Sequence, residues 1–528
     1  MRAVTVGQMR EIERRAAEEY DVSGEELMDR AGHGVAEATA QFAEDMGVER
    51  PSILVCAGRG NNGGDALVVA RYLRSWDFPV TVWLAGRKNQ MTGDAAKHLS
   101  LYEAADGKVE ELPTVEDWQE ELDFETPADL IVDGLLGTGS RGPARGPIAA
   151  AIDYINARRV QLPVVAIDVP SGLDADTGRA AGDAVRADLT ACIGLPKIGL
   201  LEDGARDYVG GLEMVNLGLP DELTLAHRDP DGAAVSLLER TEIRDGLPPR
   251  PRTAHKGHYG HLLLVAGARG YAGAAMLAAR AAVRSGAGLV TLLTPESLAP
   301  VVSVACWEAM VRGGPETAAG SLAADALRAV ADRWADFTAL AVGPGLTVSP
   351  DTEALLRALL ARAEERPVLL DADALNLAAR APDMLSLVRG PLVLTPHPGE
   401  MGRLLGTTAE AVQADRRGAA RRLAEKTGAR VVLKGAGTLL AGAPDEPLRI
   451  NLTGNPGMAS GGMGDVLTGL MGGLLAQPGL PPMTAAATAV YLHGAAGDKA
   501  AARCGHLGVT AGMVEDALPD VMTRIWPR

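Results

Sequence analysis

Ten short apolar runs, each closed by Gly, Asp or Pro within a few residues, constrain this chain more than any other feature. They are "SILVCAG" (52–58), "PVTVWLAG" (79–86), "ADLIVDGLLG" (128–137) and "PVVAIDVPSG" (163–172), then "HLLLVAGA" (261–268), "GLVTLLT" (288–294), "ALAVGPG" (339–345), "PVLLDADA" (367–374), "PLVLTPHPG" (391–399) and "ARVVLKGAG" (429–437). Nearly all are continuous rather than alternating, a pattern that suits a strand buried on both faces of a parallel sheet. Helical patterns fall between them, so both halves of the chain are expected to be α/β. In such sheets ligands sit beyond the carboxyl ends of the strands, where these Gly and Asp clusters fall.

The runs separate into two groups across residues 218–252, a proline- and charge-rich stretch with no sustained apolar period. The expected organisation is a domain over 1–220, a linker over 221–250 and a second domain over 251–528. A length of 528 residues fits two to four domains. Aromatic side chains make up only 3% of the chain against 47% hydrophobic overall, so the cores must be aliphatic. The net charge of −17 is concentrated in residues 1–220, which hold 37 acidic and 21 basic side chains. Neither half carries the basic excess that nucleic-acid binding requires. The acidic side chains between Glu103 and Asp129 read as a solvated face. Cys56, Cys192, Cys306 and Cys504 are far apart and form no C-x-x-C pair, so buried, reduced thiols are expected rather than a disulfide or metal framework. The first twenty residues read as an amphipathic helix opened by Thr5 and Gln8, not as a leader. No apolar run approaches the ~18 residues of a membrane span. A cytoplasmic protein that forms a homo-oligomer, with no membrane or nucleic-acid partner, is expected.

In the first half, "AGRGNNGGDA" (57–66) follows a strand and opens a helical run. Its Gly and Asn residues can turn amide N–H groups towards an anion, and the helix N-terminus adds partial positive charge. The spacing is neither a dinucleotide fingerprint nor a Walker loop, and the residues would equally serve a tight strand-to-helix turn. Two more strand ends add to it. "IVDGLLGTGSRG" sets Asp133 before a second glycine loop, and "AIDVPSGLDADTG" sets Asp168 before Ser171. Asn62, Asp133 and Ser171 offer oxygens for a hard monovalent cation or a polar ligand.

These three segments resemble the NAD(P)HX epimerase (YjeF N-terminal) family over residues 1–220. The resemblance implies a Rossmann-like three-layer α/β/α domain that interconverts the R and S hydrates of NADH and NADPH. It assigns Asn61, Asn62, Gly63, Gly64 and Asp65 to the substrate, together with Gly137, Thr138, Gly139, Ser140, Arg141, Gly142 and Pro143. It assigns Asn62, Asp133 and Ser171 to a potassium ion and Asp168 to the substrate-side carboxylate. Epimerising a hemiaminal carbon moves protons, and a carboxylate in a desolvated cleft can act as both acid and base.

In the second half, "NPGMASGGMGDVLTGLMGGLLA" (455–476) runs a glycine loop into a helix that begins at Asp465. Amides at a helix start can hold a transferring phosphoryl group, and Asp465 beside them can take a proton from a hydroxyl. An acidic residue in a first turn also suits the helix dipole alone. The segment resembles the anion-hole and base motif of ribokinase-like kinases. With "HKGHYGHLLLVAGARGYAGAA" (255–275), "VRSGAGLVTL" (283–292), "AVGPGL" (341–346), "LLDADALN" (369–376), "LTPHPGEMGRLLG" (394–406) and "VVLKGAGTLL" (431–440), it resembles the NAD(P)HX dehydratase branch over about 253–515.

That resemblance implies a ribokinase-like α/β domain that spends ADP, with Mg2+, to dehydrate (6S)-NAD(P)HX, releasing AMP and phosphate. Asp465 is then the base, and Gly462, Met463 and Gly464 shape the anion hole. Ala274, Gly345, His397 and Asp465 face the hydrate, while Lys434, Gly435, Ala436, Gly437, Thr438 and Gly464 line the nucleotide. Asp371 and Asp373 could assist magnesium or the fold, and Asn455 could bond adenine or hold a turn. Two other readings remain. One is a thiazole, pyridoxal or sugar kinase, against which "GMASGGMGD" and "TPHPGE" argue. The other is a non-catalytic scaffold in the first half, against which Asp168, the glycine loops and the net charge argue.

Overall fold

Each of the ten apolar runs contains a strand, and the computed structural model, which describes residues 1–48, 50–124, 128–224 and 235–526, places them in two sheets. The chain divides into two compact units, Met1–Val235 and Ser236–Arg528.

The first unit is built on β1 (Ile53–Ala57), β2 (Val80–Leu84), β3 (Val109–Glu111), β4 (Leu130–Gly134), β5 (Val164–Ile167), β6 (Leu189–Ile193) and β7 (Gly211–Val215). Their order is β3-β2-β1-β4-β5-β6-β7, and every pair is parallel. Along β1, Ile53, Val55 and Ala57 join one core with the helices Val6–Tyr20, Gly24–Asp45 and Asn61–Ser75. Leu54 and Cys56 join another with the helices Val115–Leu122 and Pro147–Arg158. A strand covered on both sides has no face left for polar residues, hence the continuous runs. Thr5 caps the first helix as expected, accepting from the Gln8 N–H while Gln8 Oε1 accepts from the Thr5 N–H. The chain reverses its direction of winding between β1 and β4, so the loops after these strands part and leave a crevice.

The second unit contains β8 (Val235–Leu237), which begins at the division, and β9 (His261–Val265), β10 (Leu289–Pro295), β11 (Met310–Gly314) and β12 (Ala339–Val342). It continues with β13 (Val368–Leu370), β14 (Leu392–Leu394), β15 (Arg430–Leu433), β16 (Thr438–Ala441) and β17 (Leu448–Asn451). The order is β11-β10-β9-β12-β13-β14-β15-β16-β17-β8, with the same reversal between β9 and β12. Pairing is parallel from β11 to β15 but antiparallel for β15 with β16 and β16 with β17. This sheet is therefore mixed rather than wholly parallel. Residues 434–437 form a tight turn, and a parallel crossover needs about a dozen residues or more. The helices Ala272–Arg284, Met463–Leu475 and Ala511–Ile525 pack a largely Ala, Leu and Val core against one face.

Of the expected linker, residues 225–234 lie outside the described residues, as do 125–127 of the acidic stretch. The remainder of 221–250 is not featureless: it holds β8 and the helix Arg240–Gly246, with Leu237 and Ile243 buried. Cys56, Cys192 and Cys306 are buried and free, but Cys504, at a helix end, is exposed. Among the described residues no helix is long and apolar enough to cross a membrane.

Candidate active sites

Chain packing decides how closely the loop after β1 can approach its neighbours. A Cβ on Gly58 would lie 1.9 Å from the Leu135 carbonyl oxygen, and one on Gly63 would lie 1.8 Å from that of Gly58. Only glycine lets the two loops and the helix start at Asn61 meet. They enclose a cleft of about 610 Å3, lined by Asn61, Asn62, Asp65, Gly137, Thr138, Gly139, Ser140 and Asp168 from the expected set. Gly63 and Gly64 lie beneath it in the packing. Arg141 lines a smaller neighbouring cavity of about 120 Å3, and Gly142 and Pro143 line neither.

Asp133, Ser171 and Asn62 converge on the turn at Leu136. The Ser171 hydroxyl donates to Asp133 Oδ1 (2.6 Å), its N–H donates to Asp133 Oδ2 (2.8 Å), and Asn62 Nδ2 donates to the Leu136 carbonyl (3.0 Å). All three side chains are buried. Burial pushes the Asp133 carboxyl up to about 6 against the opposing hydrogen bonds from Ser171, and no cationic side chain is among its causes. The donors are a carboxylate, a hydroxyl, an amide oxygen and a backbone carbonyl, all hard oxygens. That set fits a monovalent cation, which would hold Asp133 ionised.

Asp168 stands at the end of β5 in the left-handed region, with φ 63°, a conformation Asp tolerates better than most residues. Its Oδ1 accepts from Lys197 Nζ (2.5 Å) and from the Ile193 N–H (3.1 Å), and Lys197 also donates to the Ile193 carbonyl (2.6 Å). Burial alone would depress the Lys197 ammonium, but Asp168 and further anionic neighbours hold it above its usual value. Glu13 and Asp65 face the same cleft. Burial raises both carboxyls, most strongly that of Asp65, and the charge on Asp168 adds to the effect. Sequence reasoning missed Lys197 and Glu13. The available signal for Lys197 was a lone lysine in the apolar run "ACIGLPKIGLL".

In the second unit, Asp465 opens the helix Met463–Leu475 behind Gly462, whose φ of 91° lets the loop turn sharply into it. Burial, aided by the charge on Asp371 and opposed by Lys434, pushes the Asp465 carboxyl up to about 6. Asp371 is a buried hub, accepting from Lys434 Nζ (2.6 Å), Thr395 Oγ1 (2.8 Å) and Thr468 Oγ1 (2.6 Å). Lys434 Nζ also lies 3.7 Å from Glu400 Oε2, and a Cβ on Gly464 would lie 3.5 Å from it. Burial pushes Glu400 up to about 7 despite that lysine. Lys434, Asp371, Glu400 and Asp465 thus form one charged cluster under the helix start. Glu400 and Thr468 were not anticipated from the sequence.

His397 caps the helix Pro398–Leu405. Its Nδ1 accepts from the Gly399 N–H (3.0 Å), which leaves Nε2 to carry the proton of the neutral ring. Gly345 and Ala274 meet, since a Cβ on Gly345 would lie 3.2 Å from that of Ala274. Gly435, Ala436, Gly437 and Thr438 form the turn into β16. Asp373 accepts from the Thr347 N–H (2.8 Å), and Asn455 is engaged by the Gly457 N–H and by Asp498, so both are held in structural contacts.

Known proteins match this chain over nearly its whole length. Residues 262–520 match the family described as NAD(P)H-hydrate dehydratase, and residues 24–199 match the family described as YjeF-related protein N-terminus. The chain is 42% identical over 525 residues to the bifunctional NAD(P)H-hydrate repair enzyme of Moorella thermoacetica, covering 99% of this chain and 97% of that one. Identity to the enzyme of the same description from Escherichia coli K12 is 39% over 504 residues, covering 95% and 90%. The crystal structure of the ADP/ATP-dependent NAD(P)H-hydrate dehydratase of Bacillus subtilis with ATP and Mg2+ aligns at a TM-score of 0.47 and 32% identity. That alignment covers 55% of this chain and 99% of the other. The chain belongs to the family of bifunctional NAD(P)H-hydrate repair enzymes.

Proposed function

We propose that the chain repairs hydrated NADH and NADPH in two steps, epimerisation in residues 1–220 and nucleotide-driven dehydration in residues 251–528, with 221–250 between them. The observation that carries this reading is the placement of Asp465, raised towards neutral pH, at a glycine-framed helix start over the Lys434–Asp371 pair.

In the first site the pair of Asp168 and Lys197 handles protons as the hydroxyl at carbon 6 leaves and returns. The loops at 61–65 and 137–143 hold the hydrate. Asn62, Asp133 and Ser171 would hold a potassium ion, which would supply fixed positive charge for the substrate's phosphates. In the second site Asp465 takes the proton from the carbon 6 hydroxyl as its oxygen attacks the terminal phosphoryl group of ADP, and AMP departs. Phosphate then leaves carbon 6 with the C–O electron pair, and loss of a proton from carbon 5 restores the ring double bond. Amides at residues 462–464 hold the phosphoryl oxygens, and the turn 434–438 holds the nucleotide. Mg2+ bound to the nucleotide's phosphates would neutralise charge in the transfer. ADP as the phosphoryl donor, cytoplasmic residence and a homo-oligomer complete the proposal.

Absorbance at the reduced-nicotinamide band, followed on an R,S mixture of NADHX with ADP and Mg2+, tests both steps at once. Recovery of the whole mixture by the wild type, and none by Asp465→Asn, is the expected result. Recovery of the S fraction alone would remove the epimerase, and a stable phosphorylated product would make the second unit a kinase.

A further inference from the structure

A buried arginine holds the glycine turn 434–437 from beneath. Arg416 is the first residue of the helix Arg416–Thr427 and is 5% exposed. Its guanidinium donates to the carbonyls of Leu433 (3.4 Å), Lys434 (3.4 Å) and Gly437 (3.3 Å), and to Gln413 Oε1 (2.9 Å). Gly435 has a φ of 144°, and a Cβ there would lie 2.5 Å from a guanidinium nitrogen. The absence of a side chain at 435 is thus matched to the presence of this cation. A cation in a helix's first turn opposes the helix dipole, so helix formation does not account for it.

Peptide geometry says what the arginine does to the turn. In a trans peptide the carbonyl and the following N–H point in opposite directions, and there is no cis peptide among the described residues. Drawing the Lys434 and Gly437 carbonyls down onto the guanidinium turns the amides of Gly435 and Thr438 to the other side. Among the described residues the amides of Gly435, Ala436 and Gly437 meet no backbone or side-chain acceptor. Free amides above a buried positive charge make a concavity for an anion.

We infer that Arg416 is a positioning residue for the nucleotide's phosphate chain, holding the turn with its carbonyls down and its amides towards the phosphates. The inference rests on the reading of 434–438 as the nucleotide site. The guanidinium contributes charge from below without touching the ligand, and its planar fork spans carbonyls that an ammonium cannot span together.

Initial rates of dehydration by the full-length chain, with Mg-ADP and S-hydrate varied independently, test it in Arg416→Met, Arg416→Lys and Thr438→Val, alongside the melting temperature of each. Arg416→Met is expected to raise the nucleotide KM about tenfold, the worth of one charge-assisted hydrogen bond, and to leave the hydrate KM unchanged. Arg416→Lys is expected to fall between wild type and Met, and it carries the test should Met fail to fold. An unchanged nucleotide KM in both Arg416 variants overturns the inference, as does a parallel shift of both KM values with melting temperature. If Thr438→Val raises the nucleotide KM while the Arg416 variants do not, the inference alone falls. If none of the three does so, the reading of the turn falls with it.

Discussion

Replacing Lys197 by Met keeps most of the aliphatic stem and removes the ammonium that faces Asp168. The Lys197 side chain is 2% exposed and that of Asp168 13%, so water screens the pair little. Removing one partner of a buried pair costs about 3–5 kcal/mol. For a unit of this size each kcal/mol lowers the transition by about 2–4 °C, so a loss of about 10 °C is expected. Calorimetry of the full-length chain reads this, with hydrogen exchange of β6 peptides assigning the transition to the first unit. Lys197→Met combined with Asp168→Asn removes the unpaired charge and is expected to recover most of the loss. A loss undiminished in the double variant would refute the electrostatic account and leave Lys197 a packing residue.

Dehydration should follow the ionisation of Asp465. A base must be deprotonated, and its carboxyl is raised to about 6. Below pH 6 the kcat/KM of the wild type is expected to fall about tenfold per unit, and Asp465→Asn to lose about 100- to 10,000-fold at every pH. A flat acid limb in the wild type would assign the base elsewhere. Epimerisation is expected to weaken when potassium is replaced by tetramethylammonium, and Asp133→Asn to lose both about tenfold in rate and the response to potassium. A potassium response that survives in Asp133→Asn would move the cation to other ligands.

The alternation of apolar runs with helical patterns was legible because each strand carries its own burial: Ile53 and Leu54 face opposite cores, so neither could be polar. The chemistry-bearing loops were legible for a related reason, since a strand end that must bring backbone close to backbone excludes side chains, and Gly58 and Gly63 record that directly in composition. The antiparallel pairing of β15 to β17 was not legible. The run at 429–437 is as apolar as its parallel neighbours, and only the four-residue turn after it sets the direction of the next strand. β3 was missed because "VEE" offers three residues with one buried, and β7 because only Val215 of its five residues is buried. β6, "LTACI", was missed although all five of its residues are buried, so burial alone did not make a strand legible.

What the sequence by itself determined, then, is everything set by local pattern: two α/β halves, the strands that build their centres, the glycine turns, and the acidic residues Asp133, Asp168 and Asp465 at the ends. Partnership was decided only by the tertiary structure. Lys197 meets Asp168 from 29 residues away, Lys434 meets Asp371 from 63, and Thr468 meets Asp371 from 97. No periodicity encodes which distant side chain crosses the sheet's edge to a given carboxylate. That choice follows from strand order, and strand order is a property of the whole core, settled by which faces bury the most apolar surface together.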